Sequence, residues 1–387
     1  MGTTVVGENS IANLAQQVQP HGSRAFLVSD PGVQAAGVLD TITTALDTQN
    51  IEWTAFTNVD PNPTDNNVKA GVQALEAFGM EGTVMVLVGG GSVMDCGKYI
   101  AMAAPSGIND VSLAFSPDLD NADKIDFGTL APAARVTESC MPTIAVPTTS
   151  GTASETNGGG LITRTEDHRK LTFAHPEVQP RAVVLDPALT VGLPPGATAA
   201  CGMDVLTHAI EAYTSTSANP YSDGLALHAI RLTSRWLPTA VIDGSNIEAR
   251  SAMQVASHLA GRAFSSGPLL GLVHATGHPI SGTFGAAHGQ TLATMLPHVM
   301  RYNLEVVNER YGDIGLALGV KSDPLEAIKA VEELSAIVGT DRSLTDLGAT
   351  KNDLEHLTTD ALRDLIILNT PRYPSRDDVR ELYESAL

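Results

Sequence analysis

The chain changes its hydrophobic periodicity once, near residue 188, and this change constrains its architecture more than any other feature. Before it, short apolar runs alternate with helical patterns. RAFLVSD (24–30), IEWTAFT (51–57), TVMVLVGGG (83–91), PTIAVPTT (142–149) and RAVVLDP (181–187) read as strands. The stretches AAGVLDTITTALDTQ, 66–79 and SVMDCGKYIAMAA read as the helices between them. Apolar runs without alternation mark strands buried on both faces, and β–α alternation predicts a parallel sheet with helices on both sides. After Pro194-Pro195-Gly196 the strand-like runs stop. Helical patterns then follow one another at 219–237, 246–264, 269–281, 287–302, 323–338 and 351–367. A chain of 387 residues is also long for one core. The expectation is an α/β domain over 1–187 and an all-helical domain over 188–387, with the junction near 186–196. No solenoid-type repeat and no low-complexity segment interrupts this division.

The third strand runs into Gly89, Gly90 and Gly91 before a helix. Glycines at such a junction let backbone N–H groups approach a pyrophosphate, and the helix N-terminus favours its charge. Two standard phosphate fingerprints fail here. G-x-G-x-x-G from Gly89 meets Met94 where glycine is required. G-x-x-x-x-G-K-[ST] fails because five residues separate Gly91 from Gly97, and because Tyr99 follows Lys98. Asp30 ends the first strand, where a carboxylate can accept from ribose hydroxyls and repel a 2′-phosphate; it can equally cap the next helix. VPTTSGTASETN (146–157) crowds hydroxyls around Gly151, either to line a nucleotide or to cap a helix start with Glu155 in its first turn.

In the helical half, GMDVLTHAIEAY places Asp204 and His208 four residues apart, on one helix face. His274 and His278 repeat the spacing, and His288 follows after the loop SGTFGAAHG. A carboxylate with imidazoles suits Fe(II), Zn(II) or a similar first-row ion better than Mg or Ca. The absence of thiolates points to an open, catalytic type of site. Spacing leaves open which four of these five residues bind. The seven histidines outside the group, among them His168, read as surface or capping residues.

The formal net charge of −20 argues against nucleic acid and anionic membrane surfaces as partners, since both need clustered Lys and Arg. Cys96, Cys140 and Cys201 are far apart and form no C-x-x-C, which fits free thiols in a reducing cytoplasm. The opening MGTTVVGENS lacks a secretory pattern and the myristoylation signature, and no apolar run reaches membrane-spanning length.

Taken together, GGGSVMDCGK, PTTSGTASE, GMDVLTHAIEAY, VHATGH and AAHGQTLATMLPHVMRYN resemble the iron-containing (group III) alcohol dehydrogenase family. DPNPT (60–64) and NTPRYPSRDDVRELYESAL (369–387) match it too, so the resemblance runs in order from about residue 3 to the end. It implies the dehydroquinate synthase-like architecture: an N-terminal dinucleotide-binding α/β domain with a parallel sheet, an all-α C-terminal domain, and an active site in the cleft. It implies Asp204, His208, His274 and His288 as metal ligands. His278 is implied to be a non-ligand beside metal and nicotinamide that assists proton transfer. Gly90, Gly91 and Ser92 would face the pyrophosphate, Asp30 the adenosine ribose, and Thr148 and Thr149 the nucleotide. Asp95 and Lys170 match positions near the cofactor. The implied activity is reversible hydride transfer between a primary alcohol and NAD, aided by a divalent metal, Fe(II) or Zn(II), in a cytoplasmic homodimer or larger homo-oligomer. Hydroxyacid dehydrogenases, maleylacetate reductase-like enzymes and carbocyclic lyases share the fold; the four filled ligand positions disfavour a metal-free member. A metal-binding or nucleotide-sensing protein without turnover is the non-enzymatic alternative. The loop SPDLDNADKIDFG (116–128) carries no readable specificity, and Phe264 and Phe284 are candidates for lining the substrate pocket.

Overall fold

A computed structural model describes residues 2–114, 136, 138–167 and 169–387. The loop 116–128 and His168 lie outside the described residues. The chain forms two compact units: Met1–Thr149 with Ala153–Gly192, and Ser150–Thr152 with Leu193–Leu387.

The first unit runs β1 (Thr3–Val6), α1 (Leu14–Val18), β2 (Arg24–Val28), α2 (Pro31–Ala35), α3 (Val38–Asp47), β3 (Glu52–Phe56), α4 (Asp65–Phe78), β4 (Thr83–Gly89) and α5 (Gly91–Ala103). It continues with β5 (Thr143–Pro147), β6 (Gly159–Arg164), β7 (Arg169–Ala174) and β8 (Ala182–Leu185). Six strands form one parallel sheet in the order β1-β8-β5-β4-β2-β3. Its central strands are apolar on both faces because each face has its own core. Phe26, Val28, Met85 and Leu87 pack with α4 and α5 on one side. Ala25, Leu27, Val84 and Val86 pack with α1 and α3 on the other. The five strands read from the sequence are all in this sheet.

β1 was not legible: its four residues are mostly exposed on an edge strand, so burial leaves no apolar signature. β6, and with it the antiparallel β6–β7 pairing, was not anticipated either, because β6 opens on Gly159-Gly160.

The strand order has a consequence for ligands. β2 and β4 are neighbours, yet the helix after β2 packs on one face of the sheet and the helix after β4 on the other. Such a reversal opens a crevice at the carboxyl ends of the two strands, where open α/β sheets bind nucleotides. Asp30 and Gly89–Gly91 sit at those two ends.

The second unit contains α6 (Pro195–Thr214), α7 (Pro220–Ile242), α8 (Ile247–Ser265), α9 (Leu272–Phe284), α10 (His288–Leu318), α11 (Pro324–Val338), α12 (Leu354–Leu362) and α13 (Arg376–Ala386). No strand occurs in it among the described residues. α9 starts three residues later than the pattern predicts, since Leu269 takes a left-handed φ of 56° and cannot join a helix there. α10 runs past residue 302 to Leu318, through a break at Val307. The 351–367 pattern divides into α12 and a 3-10 turn at Leu365–Asn369 that Asp364 caps. Ser375 and Asp378 form a capping box that starts α13. Among the described residues, no helix is long and apolar enough to cross a membrane.

Candidate metal centre

α6, α9 and α10 bring Asp204, His208, His274, His278 and His288 together within the second unit. Asp204 Oδ1 is the hub. His208 Nε2 lies 3.3 Å from it, His274 Nε2 3.7 Å and His288 Nε2 3.8 Å. Bonds of about 2.1 Å in a tetrahedron would place neighbouring ligand atoms about 3.4 Å apart. The three spacings to Oδ1 bracket that value, and two of them are too long for hydrogen bonds. The group whose ligand atoms all lie within 4.8 Å of one another is Asp204, His274 and His288, with His208 joined to it through Asp204. Asp204 Oδ1 and His274 Nε2 are buried with no hydrogen-bond partner. Buried polar atoms rarely stay unpaired without a ligand to satisfy them, so this donor set fits a divalent ion.

The electrostatics suit ligation at Asp204 and His208. Burial pushes the Asp204 carboxyl up, but His208 and the other imidazoles outweigh it, so the group is held well below its ordinary value and stays anionic. Burial pulls His208 down to about 4, against the opposing charge of Asp204, and leaves it neutral with a lone pair. Burial also acts downward on His274, but Glu211 and Asp204 override it and push the imidazole up to about 9, so ligation would release its Nε2 proton.

His278 is set apart. Its Nδ1 lies 2.5 Å from Asp364 Oδ2, and its ring stacks on His288 with centroids 5.3 Å apart. Asp364 Oδ1 accepts from Ile366 N at 3.1 Å, so the carboxylate is anchored at the start of a 3-10 turn. Burial raises the Asp364 carboxyl, and His278 more than compensates, for a net depression.

Sequence reading missed two residues here. Glu211 follows Asp204 and His208 on the same stripe of α6, at i+7, and was visible in GMDVLTHAIEAY as a third polar residue on that face. Asp364 had no local signal, because its partner is far away in sequence. Phe264 lies against His208, with ring centroids 5.0 Å apart, whereas Phe284 lies toward Gly348.

α10 approaches α6 closely because Gly289 follows His288. A Cβ on Gly289 would stand 2.0 Å from the Ala200 carbonyl oxygen. Gly289→Ala is therefore expected to lower stability by about 1–3 kcal/mol and to displace His288, reducing bound metal. Melting curves and metal content of the purified variant check this; parental values for both would show that α10 moves freely.

In the first unit, Asp30 caps α2, with Oδ1 accepting from Val33 N at 2.9 Å. Gly90 precedes the first turn of α5, which no side chain caps, and a Cβ there would come within 3.3 Å of Thr149. Thr148 N donates to the Gly89 carbonyl, and Ser92 Oγ donates to the Pro61 carbonyl. Asp95 accepts from Ser154 Oγ at 2.7 Å and from Leu161 N at 2.9 Å. Fully buried Lys98, which the sequence reading did not single out, donates to Ser154 Oγ at 2.6 Å and to the Gly159 carbonyl. Together Asp95 and Lys98 fasten the hydroxyl-rich segment 154–159 to α5. Lys170 is exposed on β7.

A second donor group, Cys140, His175 and Glu177, closes on itself. Glu177 Oε2 accepts from Cys140 N, and His175 Nδ1 accepts from Glu177 N and contacts Cys140 Sγ. Burial, reinforced by Glu177, pushes the Cys140 thiol up to about 11.

Residues 2–187 match the family description "Iron-containing alcohol dehydrogenase", and residues 198–387 match "Fe-containing alcohol dehydrogenase family, C-terminal". The 1,3-propanediol dehydrogenase of Citrobacter freundii is 37% identical over 98% of this chain and 96% of its own. The chain belongs to the iron-containing alcohol dehydrogenase family. Like its relatives in that family, it is an oxidoreductase acting on alcohols and aldehydes. A crystal structure of a 1,3-propanediol oxidoreductase matches the whole chain and 98% of that protein, with a TM-score of 0.90 at 35% identity. A sulfoacetaldehyde reductase from Bifidobacterium kashiwanohense, solved in complex with NAD+, also matches the whole chain and 96% of its own, with a TM-score of 0.85 at 26% identity.

Proposed function

We propose that this protein interconverts a primary alcohol and its aldehyde with NAD(H) as redox partner and a divalent ion held by Asp204, His208, His274 and His288. The observation that carries the reading is the meeting of three imidazole Nε2 atoms on a buried, unpartnered carboxylate oxygen. One carboxylate and three imidazoles suit Fe(II), the family's namesake ion, and accept Zn(II). When bound, the ion supplies Lewis acidity that lowers the pKa of an alcohol, and NAD supplies the hydride acceptor.

The chain's own residues do the rest. Asp364 accepts the Nδ1 proton of His278, which leaves Nε2 with a lone pair to take the proton the alcohol gives up. His278 stacks on His288, so that proton acceptor stands beside the ligand set. In the first unit, Gly90, Gly91 and Ser92 present the uncapped amides of α5 to the pyrophosphate. Thr148 and Thr149 line the nucleotide, and Lys170 stands near it. Asp95 holds the neighbouring segment 154–159 in place. Asp30 accepts from the adenosine ribose and repels a 2′-phosphate, which favours NAD over NADP. The three free thiols suit the cytoplasm. A homodimer or larger homo-oligomer is the assembly the family resemblance implies.

The test is an anaerobic assay of chelated protein reloaded with Fe(II) or Zn(II), with NAD or NADP and a panel of alcohols and aldehydes. Turnover is expected to return with the ion and to prefer NAD by at least about tenfold, roughly 1.4 kcal/mol. Turnover independent of metal would overturn the reading, and a preference for NADP would remove the role of Asp30.

A further inference from the structure

We propose that Glu211 is a positioning residue that presets His274 for the ion by fixing its tautomer while locking α9 onto α6; the inference rests on the metal reading above. Glu211 is buried and uses both oxygens. Oε2 lies 2.5 Å from His274 Nδ1, and Oε1 accepts from Val273 N at 2.6 Å. A carboxylate has no proton to offer, so Nδ1 of His274 must be the donor. In the neutral ring that binds an ion, Nε2 is then the bare nitrogen, and Nε2 is the atom that faces Asp204. The second contact is a helix cap. The first N–H groups of a helix lack intrahelical partners, and Gly271 before α9 carries no side chain to satisfy them. Glu211 does this from α6.

Gly271 makes the approach possible. A Cβ there would stand 3.3 Å from Glu211 Oε1 and 3.1 Å from Thr370 Oγ1. One carboxylate therefore sets both the ring orientation of His274 and the position of the helix that carries His274 and His278. Neither His208 nor His288 has such a carboxylate partner on its second ring nitrogen among the hydrogen bonds of the described residues.

Glu211→Gln separates this role from plain packing. Glutamine keeps the shape but offers one acceptor and one donor group. If its oxygen caps Val273, its NH2 faces His274 and moves the ring proton to Nε2, against the ion. If its oxygen takes the Nδ1 proton, its NH2 faces Val273 N–H and the cap is lost. The experiment titrates metal-free parent and Glu211→Gln protein with Co(II), read by visible absorption and by competition with a chelator, after circular dichroism confirms the fold. The expected result is a 10–100-fold loss of affinity in Glu211→Gln, the scale of outer-sphere ligand partners. Binding within about threefold of the parent would overturn the proposal. A parent that takes up no ion would remove the metal reading itself, and this inference with it. Should Glu211→Gln not fold, Glu211→Asp replaces it. Its shorter carboxylate cannot span both partners, so about tenfold weaker binding is expected, and parental affinity would overturn the proposal.

Discussion

Asp204→Asn is expected to leave the purified protein without its ion and to cut kcat/KM by on the order of 10³-fold or more, the scale of losing one preorganised electrostatic stabiliser. The reason is geometric. Three Nε2 atoms converge on Oδ1 of Asp204 at 3.3–3.8 Å, and this is the only carboxylate oxygen they share among the described residues. An amide has the same shape but no charge, and its NH2 group can turn toward the imidazoles as a donor. The variant would then hold two buried imidazoles and the half-buried His288 with no anionic ligand to offset a cation's desolvation. Metal analysis of the purified variant, with steady-state kinetics on the same sample, checks this. Full metal content together with parental kinetics would show that the convergence on Asp204 is not a ligand set.

The second large effect separates neighbours. His278→Ala is expected to retain the ion and lose about 10²-fold or more in kcat, the contribution of a positioned acid–base group. His288→Ala is expected to lose the ion itself. The two rings stack at 5.3 Å, so a purely structural account would predict similar outcomes. The structure gives them different partners: Nε2 of His288 faces Asp204, whereas Nδ1 of His278 is held by Asp364. Parallel measurements of metal content and kcat decide. Equal metal loss in both variants would overturn the division of roles.

The order of an α/β half and a helical half was legible because each leaves a periodic trace in the sequence. Strands such as MVLV in β4 are apolar on both faces, and the second half repeats helical spacing without them. What stayed hidden had no such trace. β1 is a short, exposed edge, and the β6–β7 pair opens on glycines. In the site, the pairs Asp204–His208 and His274–His278 were readable at one-turn spacing, because a helix face is a local property. Spacing could not distinguish His278 from His288, since the distinction depends on which carboxylate each ring meets in space. Asp364 reaches His278 only through the tertiary fold. Glu211 was on the readable stripe but resembles any surface acid until its burial is known. Asp95, placed near a cofactor by resemblance, has both oxygens occupied by Ser154 and the Leu161 amide. That commitment arises only in the folded chain.

The four proposed ligand side chains come from three helices, α6, α9 and α10, all in one unit. An ion gripped by them would also be a cross-link, tying α6 to the consecutive pair α9 and α10, which lies far from it along the chain. Ligands that bind only the folded form raise its melting temperature in proportion to the logarithm of their free concentration. Heat tolerance and reactivity would then draw on the same atom. A cell short of the metal would find this enzyme both idle and easier to unfold, and so more exposed to proteolysis.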